Sequence, residues 1–117
     1  MTPDESNPQA HLEFTAITDS GQALDISFPL HPHSGSPQAV AAMVSALLQT
    51  LSEQVAEYGE ISDGDVLQAL GMTMAIRGQL MNQDEESAQQ VRQLQHELLQ
   101  VAQEAVAGAR QYVAGRA

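Results

Sequence analysis

The sequence predicts an α+β fold in which an N-terminal β-hairpin precedes three amphipathic α-helices, the last of them long. Between residues 11 and 30, apolar and polar residues alternate, which is typical of half-buried strands. Between residues 37 and 113, apolar residues recur three and four positions apart, which is typical of one helix face. A length of 117 residues suits one domain, so we predict a single domain over 11–117 after a disordered tail at 1–10.

The hairpin is predicted over residues 11–30, with Asp19-Ser20-Gly21 as a three-residue loop whose glycine adopts a left-handed conformation. This loop predicts three cross-strand pairs, which are Ala16 with Leu24, Phe14 with Ile26, and Leu12 with Phe28. All the large apolar residues except Ile17 then share one face of the hairpin. A two-residue loop would mix the two faces, so the pattern favours the odd-length loop.

The first two helices are predicted from their end signals and their apolar spacing. After a linker at 31–36, Ser36 caps a helix over 37–58, and Gly59 ends it. Ser62 begins a second helix, which reaches residue 81. Gly71 and Gly78 lie within that helix, where glycine is costly, and they indicate that another backbone passes close by.

A third helix is predicted over 83–113, because Asn82 and Glu85 have the spacing of a capping box. Its apolar residues form a heptad seam, which consists of Val91, Leu94, Leu98, Val101, Ala105, Gly108 and Tyr112. About 30 helical residues span about 45 Å, whereas a compact chain of this size is about 35 Å across. Such a helix would overhang its own domain and expose its seam. We therefore predict a homodimer, in which two hairpins pair into a four-stranded sheet.

Composition and charge exclude or disfavour several functions. The chain has no cysteine, which excludes disulfides and thiolate chemistry. Four scattered basic residues against fifteen acidic ones give a net charge of −11, so neither nucleic acid nor an anionic membrane is a predicted partner. Because no apolar run approaches the roughly 18 residues of a membrane helix, and no signal peptide opens the chain, we expect a cytoplasmic protein.

The residues that carry chemistry form no strong motif. His31 and His33 flank a proline, and His11 at the open end of the hairpin would complete a three-histidine metal site. Two exposed histidines in a linker are the simpler interpretation, so no metal is predicted. The acidic groups fall at helix starts, where capping explains them, and they are Asp63, Asp65, Asp84, Glu85 and Glu86. Without a phosphate-binding loop or a nucleophile elbow, neither an enzyme nor a cofactor is expected.

The function predicted from these observations is that of a non-catalytic protein–protein interaction module, such as an adaptor, a small acidic chaperone or a subunit of a larger assembly. Its predicted partners are a second copy of the chain and another protein. The predicted interface residues are Phe14, Ile26, Phe28, Val91, Leu94, Leu98, Val101 and Ala105. The alternatives are an acidic inhibitor that mimics nucleic acid to bind a basic protein, and a small metal- or ligand-binding dimer.

Overall fold

A computed structural model of the chain describes residues 10–18, 20–81 and 84–113. Its elements are β1 (His11–Ile17), β2 (Gln22–Pro29), α1 (Pro37–Tyr58), α2 (Asp63–Leu80), α3 (Glu85–Ala107) and β3 (Arg110–Val113). The three strands form one antiparallel sheet in the order β1-β2-β3. The predicted α+β class is therefore confirmed. The predicted tail at residues 1–10 lies, apart from Ala10, outside the described residues.

The hairpin has the predicted register. β1 and β2 are antiparallel, with Ala16 opposite Leu24, Phe14 opposite Ile26, and Leu12 opposite Phe28. Gly21 has a φ of 88°, in the left-handed region, and its amide donates to the Thr18 carbonyl at 2.9 Å. The Thr18 amide in turn donates to the Gln22 carbonyl at 2.8 Å, which closes the loop. Asp19, the first residue of the predicted loop, lies outside the described part of the chain.

The C-terminal part of the predicted third helix is a strand instead. α3 ends at Ala107, and β3 pairs with β2 from Gln22 opposite Val113 to Asp25 opposite Arg110. The prediction of a helix to residue 113 is wrong, and Gly108 and Tyr112 do not belong to a helical seam. The hairpin alone would leave one side of β2 with unpaired backbone groups, and the four residues of β3 pair with residues 22–25, the first half of that side.

The start of α3 also differs from the expectation. Asp84 caps the helix, because its Oδ1 accepts a 2.8 Å hydrogen bond from the Ser87 amide. Asn82, the predicted cap, lies outside the described residues. The helix has 23 residues and is about 35 Å long at 1.5 Å per residue. This length does not exceed the diameter estimated for the chain, so the predicted overhang has no support, and the homodimer stays a prediction.

The ends of the first two helices agree with the sequence. The Ser36 hydroxyl accepts a hydrogen bond from the Ala39 amide at 3.1 Å, and Gly59 has a φ of 81° at the end of α1. At the start of α2, Ser62 and Asp65 form a reciprocal capping box. The Ser62 hydroxyl accepts from the Asp65 amide at 3.1 Å, and the Asp65 carboxylate accepts from the Ser62 amide at 3.3 Å. These local signals therefore place both helices correctly.

The chain divides into two compact units. The first, called here the sheet unit, contains the three strands together with residues 37–41 and 97–107 of α1 and α3. Its buried residues are the apolar side chains of Ala23, Ile26 and Leu30. The second, called the helix unit, comprises residues 42–96, and its one buried residue in the described part is Gly78. The large apolar side chains of the helix unit are therefore half-buried or exposed.

α1 is the one helix among the described residues that is long and apolar enough to cross a membrane. It has 22 residues, and an 18-residue stretch within it has a mean hydropathy of 1.2 and contains no buried residue. The sequence predicted no membrane helix because no uninterrupted apolar run is long enough. The mean hydropathy of α1 is nevertheless high, although polar residues such as Gln49 and Glu53 lie within the helix. Length and composition alone qualify α1 in this way, and core helices of soluble proteins can share both properties. The absence of a membrane partner stays a prediction.

Candidate functional site

The predicted interface residues of the hairpin lie on the apolar face of the sheet. Ile26 is 5% exposed and belongs to the core, while Phe14 and Phe28 are half-buried. The alternation along β1 and β2 places all three on one face, as the sequence predicts. Ile26 has little surface left for a partner, so Phe14 and Phe28 are the accessible part of this face.

The predicted interface residues of α3 divide into two groups. Val91, Leu94 and Ala105 are half-buried. Leu98 and Val101 are exposed, at 43% and 39% of their surface. Among the eight predicted residues, these two are the most accessible, and the use of this seam as an interface stays a prediction.

α2 presents a larger apolar surface than the sequence analysis assigned to it. Leu67, Met72, Ile76 and Leu80 expose between 58% and 69% of their surface. Met72, Ile76 and Leu80 are spaced by four residues and form one ridge, whereas Leu67 lies on another side of the helix. Apolar side chains therefore lie on opposite sides of α2, and no single face holds all of its exposed apolar surface. A helical-wheel projection of residues 63–80 shows apolar residues on both sides of α2. The heptad pattern of α3 was the stronger signal, so α2 was not predicted as an interface.

The helix unit contains an open crevice of about 380 Å³ between α2 and α3. Its lining residues are Gly71, Met74, Ala75, Gly78, Gln79, Ala88, Val91, Arg92 and Gln95. The Gln95 side-chain amide donates a 2.8 Å hydrogen bond to the Met74 carbonyl, which joins the two helices. Arg92 is the one titratable residue in this lining, and it forms an exposed 3.6 Å ion pair with Glu85. The crevice therefore has no pair of groups suited to acid–base chemistry.

The two glycines of α2 differ in their surroundings. A Cβ atom at Gly78 would lie 2.7 Å from Nε2 of Gln95, so a side chain of α3 fills the space where its own side chain would be. At Gly71 nothing lies within 4 Å of that position. The expectation of a close backbone is thus wrong at both positions, although Gly78 does allow a close approach. A side-chain amide, rather than a backbone, takes that space.

The polar face of the sheet converges on one carboxylate, that of Asp25. Thr15 donates to its Oδ1 at 2.8 Å, Tyr112 donates to the same oxygen at 3.1 Å, and Arg110 lies 3.3 Å from Oδ2. The Arg110 guanidinium also lies 4.5 Å from the centre of the Tyr112 ring. The hydrogen bond from Thr15 is the largest cause of a lowered pKa at Asp25, and Tyr112 and Arg110 act in the same direction against desolvation.

This cluster, called here the Asp25 cluster, joins all three strands. Its carboxylate is already engaged by three donors, which suits a structural role more than proton transfer. Sequence reasoning missed the cluster because it placed Arg110 and Tyr112 on a helix. Gly108, which can end a helix, and the strand-favouring Tyr112 and Val113 were the local signals for the strand, although residues 110–113 do not alternate between polar and apolar.

The histidines of the linker contact each other. The backbone amide of His33 donates to Nδ1 of His31 at 3.1 Å, and the two ring centres are 5.3 Å apart. In the described part of the chain, no group of three or more His, Cys, Asp or Glu side chains is placed to share a metal ion. The histidine pair therefore has no third ligand there, and the metal-binding alternative has no geometric support.

Two of the five acidic groups at the helix starts, Asp65 and Asp84, act as caps. Asp65 completes the capping box of α2, and Asp84 caps α3. The backbone amide of Ser87 is the largest cause of a lowered pKa at Asp84, and the Ser87 hydroxyl adds to it. Capping therefore accounts for both carboxylates without a catalytic role.

No protein-family model, curated protein or solved structure matches this chain.

Proposed function

We propose that this chain is a non-catalytic protein–protein interaction module, namely an adaptor, a small acidic chaperone or a subunit of a larger assembly. The observation that carries the proposal is the exposure of large apolar side chains on the helices, most of all on α2. Soluble monomers rarely expose contiguous apolar patches of more than a few hundred Å². A partner that covers these helices accounts for their composition.

The energetics support this proposal. Full burial of a Leu, Ile or Met side chain contributes about 1.5–3 kcal/mol. Ile76 and Leu80 are 62% and 68% exposed. A partner that buries either side chain would therefore gain roughly 1–2 kcal/mol of binding free energy from it. The net charge of −11 opposes indiscriminate self-association and favours partners whose surfaces fit.

The distribution of polar groups supports a non-catalytic role. The Asp25 carboxylate is engaged by Thr15, Tyr112 and Arg110. The carboxylates of Asp65 and Asp84 cap helices. The alternative of an acidic inhibitor that mimics nucleic acid needs carboxylates in an ordered array, whereas these three carboxylates are placed by the sheet and by two helix starts.

The proposal is tested by comparing which proteins from native cells co-purify with three forms of the full chain. The forms are the natural sequence, Leu98→Asp and, as a matched control on the same helix, Gln100→Asp. Leu98 is 43% exposed and apolar, whereas Gln100 is an exposed polar residue. We expect the natural chain and Gln100→Asp to retain the same proteins, and Leu98→Asp to lose them while keeping its circular-dichroism melt.

Equal retention by all three forms would remove Leu98 and the α3 seam from the proposal. The same comparison with Ile76→Asp then examines the ridge of α2, where the exposed apolar surface is larger. If neither Leu98→Asp nor Ile76→Asp changes what is retained, the proposed function is wrong.

A further inference from the structure

The two edges of the sheet differ in how well they are protected from other strands. β1 forms one edge with seven residues, and it contains no Pro, Lys or Arg. β3 forms the other edge with four residues, and Arg110 stands at its start. Natural edge strands are blunted by short length, by proline or by charged side chains, especially lysine. β3 is short and carries Arg110. β1 is longer, and its one acidic side chain, Glu13, accepts a 2.7 Å hydrogen bond from Ser27 of the neighbouring strand, so β1 is the more open edge.

The hydrogen bonds at the ends of the hairpin show which backbone groups of β1 face that open edge. The Leu30 amide donates to the Ala10 carbonyl, and the Thr18 amide donates to the Gln22 carbonyl, both at 2.8 Å. In an antiparallel pair, hydrogen-bonded positions alternate along each strand. The even-numbered residues of β1 therefore bond to β2. The backbone groups of Glu13 and Thr15, in the middle of the strand, point outward.

We propose that β1 pairs antiparallel with β1 of a second copy of the chain, about a two-fold axis at Phe14. In this register Glu13 lies opposite Thr15 of the second copy, and Leu12 lies opposite Ala16 of the second copy. This proposal rests on the proposed interaction function, and it identifies the partner as a second copy of the chain. It joins two three-stranded sheets into one of six strands.

The sequence of β1 is complementary to itself in this register. Leu12 meets Ala16 and Phe14 meets Phe14 on the apolar face. Glu13, the one acidic residue of the strand, meets a threonine, and Ile17 at the end of the strand meets His11. A shift by one residue would mix the two faces. A shift by two residues in one direction places Glu13 opposite Glu13, where like charges repel, and in the other direction it places Glu13 opposite Ile17. Only the register centred on Phe14 pairs all seven residues.

The backbone geometry fits the same register. Glu13 and Thr15, whose groups point outward, face Thr15 and Glu13 of the second copy and form about four main-chain hydrogen bonds. Phe14 then falls in a non-hydrogen-bonded pair, where Cα atoms are only about 4.5 Å apart and side chains are closest. The two half-buried phenylalanine rings thereby cover each other.

The pairing also closes on itself. Each copy uses its β1 edge once, and the six-stranded sheet ends on both sides in β3. Each outer edge then consists of the short β3, which carries Arg110, and of residues 26–29 of β2, which β3 does not cover and which end in Pro29. A dimer, rather than an open-ended fibre, is the expected product.

The first test removes one outward-facing donor. Thr15→Pro deletes the amide that would bond to Glu13 of the second copy, and edge strands tolerate proline where the amide faces solvent. Thr15→Val is the matched control, because it also loses the hydroxyl bond to Asp25 but keeps the amide. By sedimentation equilibrium on the full chain, we expect Thr15→Pro to raise the dimer dissociation constant at least 100-fold and Thr15→Val to change it less than fivefold.

A second test reports the register, and it does not require that the Thr15→Pro chain folds. The natural chain has no cysteine, so introduced cysteines have no competitors. Opposed residues in a hydrogen-bonded antiparallel pair lie about 5.5 Å apart, which suits a disulfide. A mixture of the Glu13→Cys and Thr15→Cys chains should therefore give a disulfide-linked heterodimer under mild oxidation. The same cysteine at the exposed Ser52 of α1 is the control.

Two results overturn the pairing of β1. One is a natural chain that sediments as a monomer at 100 µM. The other is a cysteine mixture that cross-links no faster than the Ser52→Cys control. In either case, loss of partners from Leu98→Asp or Ile76→Asp but not from Gln100→Asp would show that the proposed function survives without this pairing.

Discussion

The hydroxyl group of Tyr112 donates a 3.1 Å hydrogen bond to Oδ1 of Asp25, and so ties the last strand to the hairpin across 87 residues of sequence. Arg110 reaches the other carboxylate oxygen at 3.3 Å, and its guanidinium lies against the Tyr112 ring. β3 has only four residues, so these side-chain bonds carry much of its attachment to β2. The Asp25 cluster thereby determines whether the C-terminal segment completes the sheet.

The attachment of β3 should depend on pH. The pKa of Asp25 lies below its ordinary value of 3.8, chiefly because of the Thr15 hydroxyl. A carboxylate with a lowered pKa in the folded chain stabilises the fold fully above its unfolded pKa, and loses this effect as the pH falls through the folded one. We therefore expect the amides of residues 110–113 to lose hydrogen-exchange protection below pH 3.8, and this acid step to disappear in Asp25→Asn.

The Tyr112 hydroxyl should contribute measurably to the same attachment. Tyr112→Phe keeps the ring against Arg110 but removes the donor to Asp25. We expect hydrogen exchange over residues 110–113 to accelerate about fivefold, as the loss of one hydrogen bond predicts. Tyr58→Phe is the control, since Tyr58 is 70% exposed at the end of α1. Unchanged exchange in Tyr112→Phe would contradict the role given to this bond.

The two glycines of α2 should respond differently to alanine. At Gly71 a methyl group meets nothing within 4 Å, so Gly71→Ala should stabilise the chain by about 0.5–1 kcal/mol and raise Tm by a few degrees. Gly78→Ala should gain no such stability, because the methyl group displaces the Gln95 amide from the Met74 carbonyl. Thermal melts by circular dichroism measure both. An equal gain from the two substitutions would mean that the Gln95 bond contributes nothing.

The capping box of α2 should be worth about 1 kcal/mol. Ser62→Ala removes the hydroxyl that accepts from the Asp65 amide at 3.1 Å, and the free energy of unfolding should fall by that amount. Ser45→Ala, at an exposed position inside α1, is the control and should be neutral or slightly stabilising. Urea titration measures the difference. If both variants lose stability equally, α2 does not depend on its cap.

Local signals predicted the hairpin and the first two helices well. The loop with Gly21 and the alternation on either side determined one register, because a slip of one residue would have moved apolar side chains to the wrong face. Ser36, Gly59 and Ser62 marked helix ends through hydrogen bonds and backbone angles that involve only near neighbours. Such interactions can be inferred from sequence because the partners lie within a few residues of each other.

The third strand and the Asp25 cluster could not be predicted in this way. Residues 105, 108 and 112 continue the heptad spacing of α3, so the local pattern favoured a helix. The unpaired side of β2 offered backbone hydrogen bonds that the local pattern does not reveal, and residues 110–113 take those at residues 22–25. The cluster around Asp25 depends on that choice, because Arg110 and Tyr112 reach the carboxylate only from a strand.

The sequence by itself determined the class of the fold, the register of the hairpin and the beginnings and ends of the first two helices, since short-range sterics and hydrogen bonds decide these. Only the tertiary structure decided where α3 ends, what lies beside β2, and which apolar side chains of α2 stay exposed. These features depend on contacts between residues far apart in the chain, whose free energy outweighs the weak local preferences of the residues involved.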